Sequence, residues 1–478
     1  MFFKRLLLSG LLLLSLKCLA LPFSVVPLSG HPLPTIVTQN SPVFAYYTVT
    51  NKTSRSLSGI YVAYLPKNVS QVTTGTVPNL CGQTFSLAPQ AHCKLQLSVS
   101  GDVSSNNPDP HQHLFICLPG AKTCVGTLFS LNVAASGWID TGLNAGSGAN
   151  INALATSGST VYVGGDDNQN YPAFWTYLNG SWQLTNPASL TTGSSASIAT
   201  INPTTNIQGP LLYLGTTGMT KSWVFKYQNL ISTDTNLPSS GANYLSSLEV
   251  SALDTLTNTL YVAGYGSVTL ISTPQPGGYL FHYEANNNWT LDVNPATNAL
   301  IFSSFSDMLF STQTNALYVS GYGTSGGRIG PIVAKYSIGD QSWSTLMSMP
   351  TFTTQAISIN SIALDASGNL FAGGINRNNL GLVLQHNPDD SWSALPAIPL
   401  ARNILSLQFN AQGILFAAGL GTDGSGYVWQ YNQQKNQWTT LPMARNKGIY
   451  TIAFDANQNL YALGLNSVNA PMVLMYPS

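Results

Sequence analysis

Apolar and polar residues alternate along most of the chain in short runs, as in Val43-Phe-Ala-Tyr-Tyr-Thr-Val-Thr50 and Lys94-Leu-Gln-Leu-Ser-Val-Ser100. Clusters of Pro, Gly and Asn separate one run from the next. A period of two is that of a strand with one buried face, so the pattern predicts β-structure throughout. In residues 21–136 the alternation does not repeat at longer range, and its spacing predicts a small β-sandwich. Residues 137–478 behave differently, because there the runs recur.

The recurring unit is apolar-aromatic-apolar-x-Gly: Val161-Tyr-Val-Gly-Gly165, Leu212-Tyr-Leu-Gly215, Leu260-Tyr-Val-Ala-Gly264, Leu317-Tyr-Val-Ser-Gly321, Leu370-Phe-Ala-Gly-Gly374, Leu415-Phe-Ala-Ala-Gly419 and Leu460-Tyr-Ala-Leu-Gly464. Successive aromatics lie 51, 48, 57, 53, 45 and 45 residues apart. Such a period holds several strands and marks a β-propeller, in which a sheet buries both faces only against its neighbours. The sixth unit divides into four strands: Ile404–Asn410, Leu415–Gly419, Tyr427–Tyr431 and Trp438–Leu441. Aligned inner strands (Ser251–Asp254, Ile362–Asp365, Leu407–Asn410, Ile452–Asp455) place a large residue before the Asp or Asn and usually Ala before that, as face-to-face packing of sheets requires. Outer strands are marked by Trp182, Trp289, Trp343, Trp392 and Trp438, with one lacking Trp after Tyr227. The last unit ends at Met475-Tyr-Pro-Ser478 without an outer strand, while Trp138-Ile-Asp-Thr-Gly142 precedes the first unit without a blade of its own. The expectation is seven blades, with 138–142 joining the last and removing the open edge of the ring. Six or eight blades stay open, because the long third-to-fourth step permits another pairing.

These residues resemble the kelch family of propellers. Its Gly pair, Tyr and Trp are matched by Gly164-Gly165, Tyr177 and Trp182, and by Gly373-Gly374, His386 and Trp392. Other blades keep part of the pattern, as in Gly264, Tyr283, Trp289 and Gly419, Tyr431, Trp438. Leu395-Pro to Arg402 and Leu441-Pro-Met-Ala-Arg445 resemble the kelch lead-in of Pro followed by Arg. In the first domain Tyr47–Thr53 resembles the strand and turn of bacterial Ig-like modules. The fold class so implied is all-β: a seven-bladed, kelch-like propeller preceded by a disulfide-bonded, Ig-like β-sandwich.

The N-terminus adds a compartment. Lys4 and Arg5, the apolar stretch Leu6–Leu16 and small residues ending at Ala20 read as a signal peptide over 1–20. The stretch is too short for a spanning helix, and no later segment qualifies. Secretion, the periplasm or the cell surface is the expected destination. Apart from Cys18, the cysteines are Cys81, Cys93, Cys117 and Cys124, all before residue 125. Three pairings are possible; Cys81–Cys93 and Cys117–Cys124 are favoured because each pair brackets a turn-rich stretch, with a zinc site as the rival. Asn51, Asn68, Asn179 and Asn288 stand in glycosylation sequons, relevant in a eukaryotic secretory route.

Charge narrows the functions. Lys plus Arg and Asp plus Glu number 17 each, 7% of residues are charged together, and no basic run exists, so a nucleic-acid partner is not expected. Residues 21–137 carry a net +3 and residues 138–478 a net −6.

Candidate chemistry is sparse. A kelch-type copper oxidase needs a Cys and two His ligands, but residues 138–478 hold no Cys and just His282 and His386, the latter at the repeat's Tyr position. Asp254, Asp365 and Asp455 recur before the second strand, where they serve as turn caps. His111 and His113 sit in a Pro/Asp/Asn-rich loop expected to be an exposed turn. Loops from outer to inner strands and from second to third strands share one face, which would present Asp166, Asp167, Glu249, Arg328, Arg377, Arg402, Asp423 and Arg445. Arg402-Asn403 and Arg445-Asn446 read as matching positions whose guanidiniums would hold a carboxylate or sugar. The expected ligand set is thus Arg402, Arg445, Arg377, Arg328 and Glu249, with no catalytic residue, metal or cofactor. The resulting expectation is a glycan- or protein-binding module. The alternatives are a sugar-modifying enzyme of mutarotase or lyase type, using Glu249 or the arginines, and a structural envelope component.

Overall fold

The computed structural model describes residues 21–478 except 30–32, 34–35, 40–42, 66–68, 101–112, 122, 127–133, 147–148, 168, 170, 186–195, 207–208, 219–221, 230, 239–242, 271–272, 285–286, 293–299, 326, 348–355 and 445. Residues 1–20, Asn68, His111 and Arg445 therefore lie outside the described residues. Among those described, the elements are strands and one short 3-10 turn at Pro119–Ala121. No helix is long and apolar enough to cross a membrane. The chain divides into two compact units, one running to 135 without 38–41, the other comprising 38–41 and 136–478.

The first unit holds two four-stranded sheets. One orders Phe23–Pro27, Val43–Asn51, His92–Val99 and Val69–Val72; the other orders Thr84–Leu87, Leu57–Tyr64, Phe115–Cys117 and Cys124–Gly126. Alternation along Val43–Asn51 turns Ala45, Tyr47, Val49 and Asn51 inward, and the first three form one core with Ile60, Leu95, Leu97 and Ile116. Disulfides join Cys81 to Cys93 and Cys117 to Cys124. Asn51 is fully buried, its amide donating to Arg55 O, Leu87 O and Ala88 O while its oxygen accepts from Thr53. It locks the turn with its amide buried, whereas Asn179 and Asn288, in two of the other sequons, are exposed. His113 sits edge-on to Phe115, ring centres 6.0 Å apart.

In the second unit six four-stranded antiparallel sheets follow one another, spanning 151–185, 196–234, 243–292, 300–347, 356–394 and 401–441. The seventh contains Asn446–Phe454, Leu460–Asn466, Pro471–Tyr476, Ala134–Asp140 and, outermost, Ile36–Gln39. Ile139 pairs antiparallel with Met475 and Asp140 with Leu474. That fifth strand, drawn from residues expected to belong wholly to the sandwich, was not legible in the sequence. Each neighbouring pair of sheets encloses its own apolar cluster, and the seventh and first share one built from Tyr461, Leu463 and Val473 with Ile151, Val161 and Trp175. Sheets that pack in series and return to the first define a β-propeller. Outer-strand tryptophans tie one sheet to the preceding one: the Nε1 groups of Trp289 and Trp392 donate to Thr235 O and Leu346 O, both at 3.0 Å. The long third step is explained by a hairpin in the third sheet, Thr259–Leu270 with Thr273–Tyr283.

The repeated Gly has a steric cause. Inner strands carry β-bulges that aim a carbonyl at the second strand. A Cβ on Gly165, Gly264, Gly321, Gly374, Gly419 or Gly464 would be driven into that oxygen. In the second sheet Thr216 takes this position, so Gly215 of the repeat is one residue out of register.

Candidate functional site

A bulge recurs at one level of every inner strand, and the extra residue projects toward the mouth of the central channel. The seven side chains so placed are Asn152, Ala199, Glu249, Ser306, Asn360, Leu405 and Tyr450, lining a cavity of about 300 Å3. Several polar side chains of this wall are tied sideways. Asn152 donates to Ser197 Oγ at 2.7 Å, Asn202 to Ser251 Oγ, and Asn360 to Asn403 Oδ1 at 2.7 Å and Ile404 O at 2.8 Å. Glu249 accepts from Phe305 N at 2.6 Å; burial nevertheless pushes its carboxyl above the usual range.

One step below, the inner strands, which are sheet edges, have N–H groups met by the preceding sheet. Asp307 Oδ2 accepts from Ser361 Oγ (2.8 Å) and Ile362 N (2.9 Å). Ser361 Oγ accepts from Leu407 N (3.0 Å), and Ser406 Oγ from Ile452 N (3.3 Å). Thr156 Oγ1 donates to Phe454 O at 2.7 Å, linking first and seventh sheets. Burial also raises the Asp307 carboxyl. Both channel carboxylates are thus engaged by backbone N–H groups, and no set of three or more His, Cys, Asp or Glu among the described residues is arranged to hold a metal.

The ends of the sheets around this mouth, where second strands turn into third strands, form the upper face. Arg377 is exposed in the turn after Leu370–Asn376, and Arg402 is exposed on the first bulge of Ala401–Phe409. Arg328 begins the strand Arg328–Ser337. The expected match of Arg402 with Arg445 is corrected by register: Ala401 and Asn446 face the second-strand residues Gly421 and Asn466, so Lys447 occupies the place of Arg402. Asp166 and Asp167, expected on the face, are buried and close the loop instead. Asp166 Oδ1 accepts from Asn150 N at 3.0 Å; Asp167 Oδ1 accepts from Gln169 N and Tyr171 N. Asp423 accepts from Ser425 N and the Tyr427 hydroxyl, whose pKa burial and that bond push up to about 12. Asp254, Asp365 and Asp455 cap the turns at the opposite ends, through Leu256 N, Ser367 N and Asn459 N.

Sequence reasoning missed the dominant feature of this face, which is apolar. Tyr265, Tyr322 and Ile329 stand on the extended strands of the third and fourth sheets, and Ile357, Leu380, Leu400 and Val468 on the bulges and loops of the fifth to seventh, all exposed. Leu400 is 56% and Val468 71% accessible. Single exposed apolar residues are ordinary, whereas a group gathered on one face of a ring marks an interaction surface. The histidines lie elsewhere. His386 packs on Trp392 as the repeat's Tyr does in Tyr177–Trp182. His282 is held between Asp292 (2.8 Å) and Glu284 (3.4 Å), with the Tyr336 hydroxyl donating to the other Asp292 oxygen at 2.6 Å, between the third and fourth sheets. Its pKa is raised, chiefly by the Asp292 hydrogen bond.

No family model matches the chain, and no curated protein is similar to it in sequence. Solved structures similar to it include the extracellular domain of a putative one-component system from B. thetaiotaomicron, at 16% identity and TM-score 0.48, covering 70% of this chain and 40% of that one. Others are the WD40 β-propeller domain of Doa1 (11% identity, TM-score 0.44, 69% and 94% covered) and YCF48 bound to D1 peptide (13%, 0.49, 71% and 94%). The chain thus spans less than half of the first of these.

Proposed function

We propose that the protein is exported, with residues 1–20 as its leader, and that residues 137–478 form a seven-bladed, kelch-like propeller that follows, in sequence, an Ig-like module of residues 21–136. In this reading strand 138–142 closes the ring, and the upper face binds a partner surface. The carrying observation is the exposed apolar set around the channel mouth, flanked by Arg377, Arg402 and Lys447. Aliphatic side chains such as Ile357, Leu380, Leu400 and Val468 offer contact area but few hydrogen bonds, which favours a protein surface over a glycan. The two disulfides support export, since such bonds persist in oxidising compartments.

The experiment is binding of residues 21–478 to a glycan array and to an array of extracellular protein domains. It compares the natural sequence with Ile357→Asp/Leu400→Asp and with Arg402→Ala/Lys447→Ala. Protein-domain binding lost in the first variant and merely weakened in the second is the expected outcome. Binding untouched by both would move the site off this face. A second reading, a sugar-modifying enzyme, is favoured by one observation: Glu249 projects into a polar channel with a raised pKa, as a general acid requires.

A further inference from the structure

On the side opposite the upper face, a groove of about 410 Å3 opens between the fifth and sixth sheets, beside the turn that follows Asn410. We infer that this groove is a second binding site, for a neutral saccharide. Gln385 and Gln430 occupy matching positions on the third strands of the two sheets, opposite Phe371 and Phe416, and Gln412, Gln433 and Gln434 line the rim. None of these five amides has a side-chain hydrogen bond to the protein among the described residues. Each offers two donors and an acceptor oxygen. Hydroxyl groups, which both donate and accept, match that set without any charge.

The apolar part of the groove is rigid. Phe371 and Phe409 meet edge to face at 5.2 Å, and Tyr431 is fixed by a 2.6 Å bond to Asn436 Oδ1 and by packing on Trp438. Preorganised walls reduce the ordering cost of binding. Asp365 is the one residue charged at neutral pH among those lining the groove, and its oxygens already accept from Ser367 N, Asn369 N and the Asn369 amide. An anionic ligand would find no counter-ion here. The volume lies within the range of small-molecule sites, about 300–1,000 Å3. The inference is independent of what the upper face binds.

The test is calorimetric titration of residues 21–478 with cellotriose, maltotriose and triacetylchitotriose, and with trigalacturonate as the acidic counterpart. Gln385→Leu and Gln430→Leu keep side-chain size and sit on half-exposed positions, and thermal melting checks that they fold. Binding of at least one neutral trisaccharide, in preference to the acidic one and weakened about tenfold or more by either substitution, is the expected result. Silence toward all three neutral sugars, equal binding of the acidic one, or affinity unchanged in both variants would overturn the inference.

Discussion

Gly374 shows how a single residue reports on its neighbours. It recurs in the sequence as a motif letter, yet its cause lies on another strand, in the Ser358 carbonyl pushed toward it by the bulge. Gly374→Ala is expected to lower stability by about 3 kcal/mol or more in urea unfolding. Gly339→Ala, where an added Cβ meets nothing within 4 Å, should change it by less than about 0.5 kcal/mol. His282 makes a pH-dependent contribution. A histidine with a raised folded pKa contributes stability that is fully present below its unfolded value, about 6.5, and that is lost as pH rises through the folded value. Asp292, Glu284 and the Tyr261 ring face it, and the Tyr336 hydroxyl holds Asp292 from the next sheet. The melting temperature should therefore fall between pH 6 and pH 8.5, and fall less in His282→Gln, as scanning calorimetry at the two pH values would record.

Elements are joined by bonds that no periodicity announces. Ser406 looks like any small inner-strand residue, but it accepts the Ile452 N–H of the next sheet. Ser406→Ala leaves that buried group unpaired and should cost about 1–2 kcal/mol, read from the shift in urea midpoint. Strand identity, the four-strand units and the tryptophan positions were legible because they follow a period of two and a repeated aromatic. The register of the first bulge was not. Connections into the sixth and seventh sheets differ in length, so aligning Leu395-Pro with Leu441-Pro pointed to Arg445, whereas counting back from Gly419 and Gly464 leads to Arg402 and Lys447. In the first unit the disulfides close short segments, 12 and 7 residues apart in sequence. Reduction is expected to destabilise that unit by about 2–4 kcal/mol. It should leave the second, which contains no cysteine, unchanged in hydrogen-exchange protection.

For the molecule as a whole, the ring architecture was written in the repeat, while its exposed apolar face was not. Leu380, Leu400 and Val468 are isolated apolar letters in polar turns, and only their exposure on one face gives them meaning. The acidic residues drew attention for the opposite reason. Asp166 and Asp167 stand out in a sparsely charged chain, yet both are consumed in closing a loop. Charge scarcity itself fits a surface that recognises by contact area more than by ion pairs. The most direct measurement is hydrogen exchange of residues 21–478, free and mixed with a protein domain captured on the array. The account predicts new protection at Ile357, Leu380, Leu400 and Val468, absent from the Ile357→Asp/Leu400→Asp variant. Protection confined to the channel-wall strands or to the first unit would contradict it.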